Sequence, residues 1–598
     1  TMDSDYYKAV IKVFADLHKK GLIYRGARMI NWDPAARTAL SDEEVEYREV
    51  EGKLYYVKYK IVDELNEGSG EYIVVATQRP ETIMGDTGVC VNPGDERYLH
   101  LKGKFAIVPL VNRKVPIVFD EYVDKEFGTG VLKITPAHDI NDYNIGLKYA
   151  LPVIDTLNED GTLSEAAEVF VGKDRFIARK LVVESLAKEG LLLKEENYTT
   201  RLGYSQRSHA VVEPRISTQW FVRMKELASP ALNAVLSGDV QIFPADKFLA
   251  TYKYWLENVK DWCISRQLWW GQRIPAWYDK DGNLFVAETA EEALQLARQS
   301  SNARNRKIDL ADLRQDEDVL DTWFSSWLWP MEVFKGITKP GNPDIKYYYP
   351  TSVLVTGQDI IFFWVARMIM AGMEYMHEKP FSDVYFTGMV RDKLGRKMSK
   401  SLGNSPDLLQ LIDKYGADAV RFGILISSPA GNDLLFDEAS LEQGRNFNNK
   451  LWNALKLVRS WESRIDEKLP AKKEFAVEWF ENRLNESKEL LEKYFKEYKL
   501  SEALKTIYSL IWDDFCSWYL EWVKPGFQES VHPASYQKTI EFFEELMQIL
   551  HPFMPFITEE TYHLLKTRKD SDDLCVRPIS KIQNTDSAVL KEGEFLKS

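Results

Sequence analysis

The sequence predicts a multidomain α/β protein with an inserted β-rich domain and a helical tail, and three changes of texture carry that expectation. From about residue 50 to 200, short runs rich in β-branched and aromatic residues (YYVKYKIV, EYIVVAT, FAIVPLV, KVPIVF, GVLKITPA) are separated by turn residues, the pattern of a β-barrel. From about 205 to 435, apolar strands such as SVLVTG and VYFTGMV are followed by helical stretches, which suggests parallel α/β units. After about 437 strand signals fade and amphipathic stretches such as Trp479–Lys496 and Thr539–Leu550 take over, as in a helical bundle.

The elements follow in order. Val10, Val13, Phe14 and Leu17 recur at helical spacing, Asp3 or Ser4 can cap, and Gly21 ends the run. Asn31-Trp32-Asp33-Pro34 reads as a turn. The expected division is a core segment over 1–50, the barrel over 51–204, the second part of the core over 205–390, a lysine loop and its continuation over 391–436, the bundle over 437–575 and a linker over 576–598. The most apolar window, Ile360–Met373, is interrupted by Arg367 and is too short to span a bilayer; it reads as a buried helix. No membrane partner and no signal peptide are expected.

Composition narrows the class. Of 598 residues, 45% are hydrophobic and 28% charged, ordinary for a globular protein. A net charge of −14 argues against a protein that simply coats DNA, while leaving room for a local basic groove. The cysteines at 90, 263, 516 and 575 form no CxxC pair, so no metal site or disulfide framework is expected and a reducing cytoplasm is the default.

Four segments carry chemistry. KMSKSLGN (397–404) follows the strand VYFTGMV and is flanked by glycine. A bare KxSKS also suits a solvated basic turn, but a lysine loop after a strand can fold over a triphosphate and offset charge as pyrophosphate leaves. In TGQDIIFFWVARMIMAG (356–372), Gly357 permits close backbone approach and Asp359, at a strand-to-helix junction, can meet a ribose hydroxyl or an ammonium group. DTWFSS (321–326) and DWCISRQLWWGQRIPAWY (261–278) are dense in aromatics that wall an apolar pocket or fill a core; Trp269, Trp270 and Trp277 read as packing.

KMSKSLGN, TGQDIIFFWVARM, DVLDTWFSS and DWCISRQLWWG with IPAWY together resemble the class I aminoacyl-tRNA synthetases, and the last two are similar to the wording of the valine-specific members. The resemblance runs from Thr1 to about Phe556. It implies a Rossmann-type catalytic core, ATP and Mg²⁺, activation of valine and transfer to tRNA(Val) by a cytoplasmic monomer. Lys397 and Lys400 would be catalytic. Lys397, Ser399, Lys400, Ser401, Gly357 and Asp359 would bind ATP, and Trp323, Asp359 and Ile360 would form the valine pocket. GRNFNNKLWNALKL (444–457) resembles the family's anticodon-binding helices, so that Arg445, Asn449 and Lys450 would touch tRNA or hold the bundle.

The inserted domain contains ATQRPETIMGDTGV (76–89) and GTGVLKITPAHDINDYNIG (128–146), similar to the two halves of the family's editing site. An apolar pocket for valine is itself the known example of a site that rejects threonine's hydroxyl poorly, so a second, hydrolytic pocket must demand that hydroxyl. Asp139 and Asp142, three apart, are expected on one helical face, where one carboxylate holds the α-ammonium and the other accepts from the hydroxyl. Lys133 and Thr135 alternate along a strand and can donate to the hydroxyl, the ester or the ribose. Thr77 and Arg79 complete the set, with Arg79 clamping the terminal adenosine or its phosphate. Lys133, Asp139 and Asp142 would also suit a surface ion-pair cluster. No Cys or Ser forms an obvious nucleophile–base pair, so water attack on threonyl-tRNA(Val) is expected. Gln78 stands where relatives commonly have threonine, and Ser205 where many carry cysteine.

Relatives pair the lysine loop with a His-x-Gly-His near their start, and none of the eight histidines here lies in one. The expectation is a fragment that retains editing, lacks adenylate synthesis and a C-terminal coiled-coil arm, and exposes apolar strand edges. The competing readings are an isoleucine-specific relative and a non-synthetic tRNA-binding or editing protein.

Overall fold

Helix α1 (Ser4–Lys19) starts where Asp3 accepts hydrogen bonds from the N–H groups of Asp5 and Tyr6, and it buries Val10, Val13, Phe14 and Leu17 completely. The computed structural model describes residues 2–65, 67–300, 308–399, 402–469, 474–526 and 529–597. They form two units, one of residues 1–231, 256–349 and 363–380, the other of 232–255, 350–362 and 381–598. The segment 205–390, expected as one piece, is therefore shared between them.

In the first unit, β1 (Ile23–Asp33) pairs antiparallel with β2 (Thr38–Leu40) and with β10 (Glu213–Val222). Asn31, Trp32 and Asp33 finish β1 and do not form the expected turn. Ladder pairing with Leu40, Ala39 and Thr38 claims them, and the reversal moves to Pro34–Arg37, where Asp33 accepts from the N–H groups of Ala35 and Ala36.

A two-stranded ribbon of β3 (Val45–Val62) and β9 (Leu192–Ser205) leads into the barrel. There β3 pairs with β4 (Gly68–Thr77), and the sheet continues through β6 (Phe105–Val108), β7 (Arg113–Phe119), β5 (Gly88–Val91) and β8 (Val131–Ile134) in the order β4-β3-β6-β7-β5-β8. The β-rich runs read from the sequence are these strands. The pair β5/β7 is parallel and the others are antiparallel. The loop entering β8 reaches back to β4 through a hydrogen bond from Thr129 Oγ1 to the Val74 carbonyl (2.5 Å), which nearly closes the barrel. Helix α2 (Ile140–Lys148) follows β8, and α3 (Arg175–Lys188) lays Ala178, Val182 and Leu186 on the barrel core.

The first unit is tied together by a buried cation. Arg266 is fully buried; its Nη2 donates to Glu44 Oε2 (2.7 Å) and Asp321 Oδ2 (3.0 Å), and its Nη1 to the carbonyls of Cys263 and Ser265. Asp321 also accepts from Trp262 Nε1 and caps the helix Thr322–Ser326. Helix α4 (Arg367–Tyr375) adds Arg367, which reaches Glu43 (3.4 Å) and lies 3.8 Å over the Trp262 ring. Burial raises the Glu44 carboxyl, but the Arg266 charge, the Ser41 N–H and Arg207 outweigh it and hold the group below its ordinary range.

In the second unit, β11 (Gln241–Phe243), β12 (Thr351–Gly357) and β13 (Phe381–Thr387) form an all-parallel sheet in the order β11-β13-β12. Edge strand β12 leaves Val353 and Val355 37% and 57% exposed. Two short strands, β14 (Val390–Arg391) and β15 (Leu434–Leu435), pair beyond the sheet, and α5 (Leu408–Tyr415) and α6 (Ala417–Ile426) lead to the bundle.

The bundle comprises α7 (Glu438–Ser460), α8 (Phe475–Lys496), α9 (Leu500–Ser509), α10 (Pro533–Leu550), α11 (Pro555–Leu565) and α12 (Ser587–Lys597), with a π-helical segment at Leu510–Tyr519. Phe480, Phe515, Tyr519, Phe542 and Phe543 form its centre, each such side chain contributing about 1.5–3 kcal/mol by burial. The segment after 576, expected as a linker, carries α12. Gly593 lets α12 lie against Trp479, and Lys597 pairs with Asp514 (2.7 Å).

Replacing Arg266 with methionine leaves the buried Asp321 without its ion-pair partner. The expected cost is about 3–5 kcal/mol, read as a lower urea midpoint, with Arg266→Lys recovering only part because it lacks the planar fork.

Candidate functional site

The barrel holds a cavity of about 290 Å³ whose lining includes Thr77, Gln78, Arg79, Thr82, Lys133, Thr135, His138, Asp139 and Asp142. Every barrel residue singled out in the sequence is there. The end of β4 supplies Thr77, and the 3₁₀ turn Pro80–Gly85 supplies Thr82. Strand β8 and the residue after it supply Lys133 and Thr135. Gly85 is required by close approach: a Cβ there would sit 3.0 Å from the Ile154 carbonyl and 3.1 Å from Thr135 Cγ2.

Asp139 and Asp142 do not share a helical face as expected. Asp139 is the N-cap of α2 and accepts from the N–H groups of Asn141 and Asp142, while Asp142 lies buried in the first turn. Capping wins because a helix start leaves N–H groups without partners. Asp142 Oδ2 accepts from the Thr135 N–H (2.8 Å). Burial pushes its carboxyl up to about 7; Lys133 opposes this, and Asp139 and Asp86 add to it.

Lys133 and Thr135 point the same way, but their protons are engaged within the protein. Lys133 Nζ donates to Thr82 Oγ1 (3.1 Å), Asp86 Oδ1 (3.1 Å) and Thr135 Oγ1, and Thr135 Oγ1 donates to Asp86 Oδ1 (2.6 Å). The expected donation to a ligand from these two side chains is thus corrected: a buried ammonium needs partners, and the fold supplies three. Arg79 is likewise occupied. It pairs with Glu81 (3.3 Å) and Glu213 (2.5 Å) and donates to the His138 carbonyl (3.3 Å). Glu81 is also held by Arg179 (2.7 Å) and Glu213 by Arg175 (2.9 Å). Arg79 braces the pocket mouth, and its expected role as a free clamp is not what the structure shows.

Sequence reasoning missed Asp86, which is fully buried with Tyr59 O–H donating to its Oδ2 (2.6 Å). Burial raises its carboxyl, with Lys133 opposing. A lysine on an inward strand position demands a counter-charge, but that signal does not say which carboxylate supplies it. His138 was also missed. Its Nε2 accepts from the Thr156 N–H (3.1 Å), so the ring is an acceptor there, and burial followed by the charges of Arg79 and Lys133 holds it well below its ordinary pKa.

In the second unit, β12 and β13 end side by side at Gly357 and Thr387, and the 3₁₀ turn Gln358–Ile360 leaves Asp359 exposed. Carboxyl ends of parallel strands are where such folds bind ligands. A Cβ at Gly357 would meet only Met389 Sδ at 3.6 Å, so no packing against the protein requires a glycine there. The lysine loop is held by a short polar chain. Asn404 Nδ2 donates to Asp392 Oδ2 (3.0 Å) and the Lys397 carbonyl (3.2 Å), and the Ser399 N–H donates to Asn404 Oδ1 (2.9 Å). The Asn404 hydrogen bond is the main reason the Asp392 carboxyl sits down at about 2. Lys397 is exposed beside this staple. Lys400 and Ser401 lie outside the described residues. Of the expected valine pocket, Asp359 and Ile360 belong to this unit. Trp323 belongs to the first, half-buried with its ring 5.4 Å from that of Phe363.

Trp277 packs as expected, but Trp269 and Trp270 are 96% and 68% exposed and do not. They sit beyond the two-residue strand Ser265–Arg266, where no element covers them among the described residues of their unit. On α7, Arg445 pairs with Glu442 (2.9 Å), Lys450 lies 5.2 Å over the Trp512 ring, and Asn449 is exposed. The Lys450 contact ties α7 to the π-helical segment, whereas the Arg445–Glu442 pair is an exposed pair within α7. Ser205 donates to the buried Asp33 (2.6 Å). Among the described residues, Glu559, His563 and Asp573 bring metal-type ligand atoms within 4.8 Å of one another, with the two carboxylates 3.2 and 3.0 Å from His563 Nε2.

A family profile described as tRNA synthetases class I (I, L, M and V) matches residues 1–437, and one described as the anticodon-binding domain of tRNA ligase matches 477–597. Valine--tRNA ligase of Parabacteroides distasonis is 57% identical over 599 residues, covering 100% of this chain and 68% of the relative. That of Phocaeicola vulgatus is 57% identical over 597 residues, covering 100% and 67%. The chain thus spans about two thirds of the length of these relatives. The solved ternary LeuRS–tRNA–LeuAMS complex of Agrobacterium radiobacter K84 is similar over 98% of this chain and 76% of that one, with a TM-score of 0.49 and 19% identity.

Replacing Arg79 with alanine removes one cation from each of Glu81 and Glu213, which keep Arg179 and Arg175. The expected loss is about 2 kcal/mol, seen as a lower urea midpoint without any ligand. An unchanged midpoint would return Arg79 to a ligand-only role.

Proposed function

Because the chain belongs to the class I aminoacyl-tRNA synthetases, among the valine--tRNA ligases, we propose that its barrel pocket hydrolyses threonyl-tRNA(Val), correcting mischarging in an enzyme that joins valine to tRNA(Val) with ATP. The observation that carries the editing reading is the pocket itself. It is small, it sets charged and polar groups beside Leu54, Ala76, Phe127 and Leu132, it sits in a barrel separate from the lysine loop along the chain, and it is built largely from the two segments that resemble an editing site.

The two carboxylates divide the substrate. Asp139, exposed at the rim, suits the α-ammonium, and Asp142, buried beside Thr135, suits the side-chain hydroxyl. No Cys or Ser is among the lining residues, which supports attack by water positioned over the ester. Valine in the same place would bury a methyl against a carboxylate, leaving an acceptor without a donor. In the synthetic reaction ATP, accompanied by Mg²⁺, is a substrate; Gly357, Asp359, Lys397 and Ser399 are the described residues that would meet it. Arg445, Asn449 and Lys450 would lie near tRNA, the last mainly as a brace. The reaction belongs in the cytoplasm, where charged tRNA is made. Relatives named for valine favour this reading over the isoleucine-specific one.

Mixed with threonyl-tRNA(Val) and valyl-tRNA(Val), the chain should release threonine selectively, and Asp142→Ala should abolish the difference. Cleavage of neither ester above the buffer rate would refute the editing reading.

The pH dependence has a definite sign. Hydroxyl recognition by Asp142 needs the carboxylate, whose pKa is pushed up to about 7, so kcat/KM for threonyl-tRNA(Val) should rise with pH through about 7, and Asp142→Asn should lose that limb. The stability effect runs oppositely. A carboxyl with a raised folded-state pKa favours the fold at low pH, and that contribution fades as pH climbs through about 7. Asp142→Asn should therefore be no less stable than the parent above that pH in urea titrations.

A further inference from the structure

Resting on the editing reading above, we propose that Asp86 is the positioning residue of the barrel pocket. By engaging the protons of Lys133 and Thr135, it leaves that wall presenting lone pairs, so that the pocket recognises the threonine hydroxyl as a hydrogen-bond donor.

Asp86 is fully buried and is not among the residues lining the cavity, so it acts only through its neighbours. A lysine ammonium has three protons. Those of Lys133 go to Asp86 Oδ1, Thr82 Oγ1 and Thr135 Oγ1. A carboxylate accepts only, so the single Thr135 hydroxyl proton points to Asp86 (2.6 Å). The Thr82 hydroxyl proton points to the Arg79 carbonyl (3.0 Å). Tyr59 fixes the other Asp86 oxygen (2.6 Å), so the carboxylate cannot turn to release either partner. None of the three groups on this wall keeps a proton for a ligand. What remains is one further lone pair on each hydroxyl, with the Asp142 carboxylate beside them.

The consequence is specificity by polarity as well as by shape. Threonine brings a proton to a surface of acceptors, whereas valine brings a methyl and leaves a buried carboxylate unsatisfied. An isostere carrying an acceptor in place of the hydroxyl fails for the same reason. Thr77, Gln78, Tyr122 and Asn141 also line the cavity and carry donors of their own, so the acceptor surface is the wall of Thr82, Lys133 and Thr135 alone.

The test uses tRNA(Val) charged with threonine, valine or 2-amino-3-fluorobutyrate, in which fluorine replaces the hydroxyl and cannot donate. With the wild-type chain, the fluoro ester should be spared about tenfold or more relative to the threonyl ester, close to the valyl ester. Asp86→Asn offers an N–H of its own and frees a proton on Lys133 or Thr135. In it the threonyl-over-fluoro ratio should collapse toward one, with the urea midpoint recorded to show that the variant folds. Wild-type cleavage of the fluoro ester at the threonyl rate would overturn the inference and leave editing standing. A folded Asp86→Asn that keeps the wild-type ratio would remove Asp86 from the role. Cleavage of none of the three by the wild type would fell the editing reading itself, and this inference with it. The fluoro comparison uses only the wild-type chain, so it can overturn the inference even where the variant does not fold.

Discussion

A buried positive charge must be met by carboxylates from elsewhere in the chain, and Arg266 shows how much of the first unit that requirement organises. Its guanidinium is met by Glu44 at the foot of β3 and by Asp321 at the head of the helix Thr322–Ser326. Those residues stand 222 and 55 positions away in the chain. The same Asp321 oxygen accepts from Trp262, and Arg367 stacks on that tryptophan. Three motif segments that look independent in sequence, together with the residue before β3, are thereby fixed about one cation. Removing water from both partners is costly, and the hydrogen bonds of Nη1 and Nη2 to two carboxylates and two carbonyls offset it, while the buried Nε has no partner among the described residues.

The barrel repeats the constraint on a smaller scale with a different result. Lys133 lies on an inward position of β8, and the sheet cannot fold around it unless a carboxylate faces it. Asp86 does so, from the neighbouring segment that leads into β5. In satisfying the lysine it also takes the Thr135 proton, so a device required for stability sets the polarity of the pocket. Arg79, Glu81, Glu213, Arg175 and Arg179 form a second lattice of charges at the mouth. Few of these groups can move without leaving a buried charge unpaired.

The second unit places its candidate residues by backbone geometry. Parallel strands β12 and β13 end together, which presents Gly357 and Asp359 at the edge where such sheets meet ligands. The lysine loop is pinned by Asp392 and Asn404, whose contacts close on Lys397 and Ser399. These are surface contacts, weaker than the buried pairs of the barrel, and they leave the Lys397 side chain exposed.

Local pattern made much of this legible in the sequence. Helix α1, the barrel strands and the helices of the bundle each announce themselves by hydrophobic period, because burial of one face is a local property of the segment. The resemblance of two segments to an editing site also pointed to the barrel, and Thr77, Arg79, Lys133, Thr135, Asp139 and Asp142 do line one cavity there. Tertiary structure alone decided what those side chains are free to do. Asp139 is drawn into a helix cap, Arg79 into ion pairs, and Lys133 and Thr135 into Asp86, which no local pattern marked. Trp269 and Trp270 are exposed for the converse reason, that an aromatic packs only where another element covers it. A donor or acceptor is available only after every long-range partner has been counted, and those partners exist only in the folded chain.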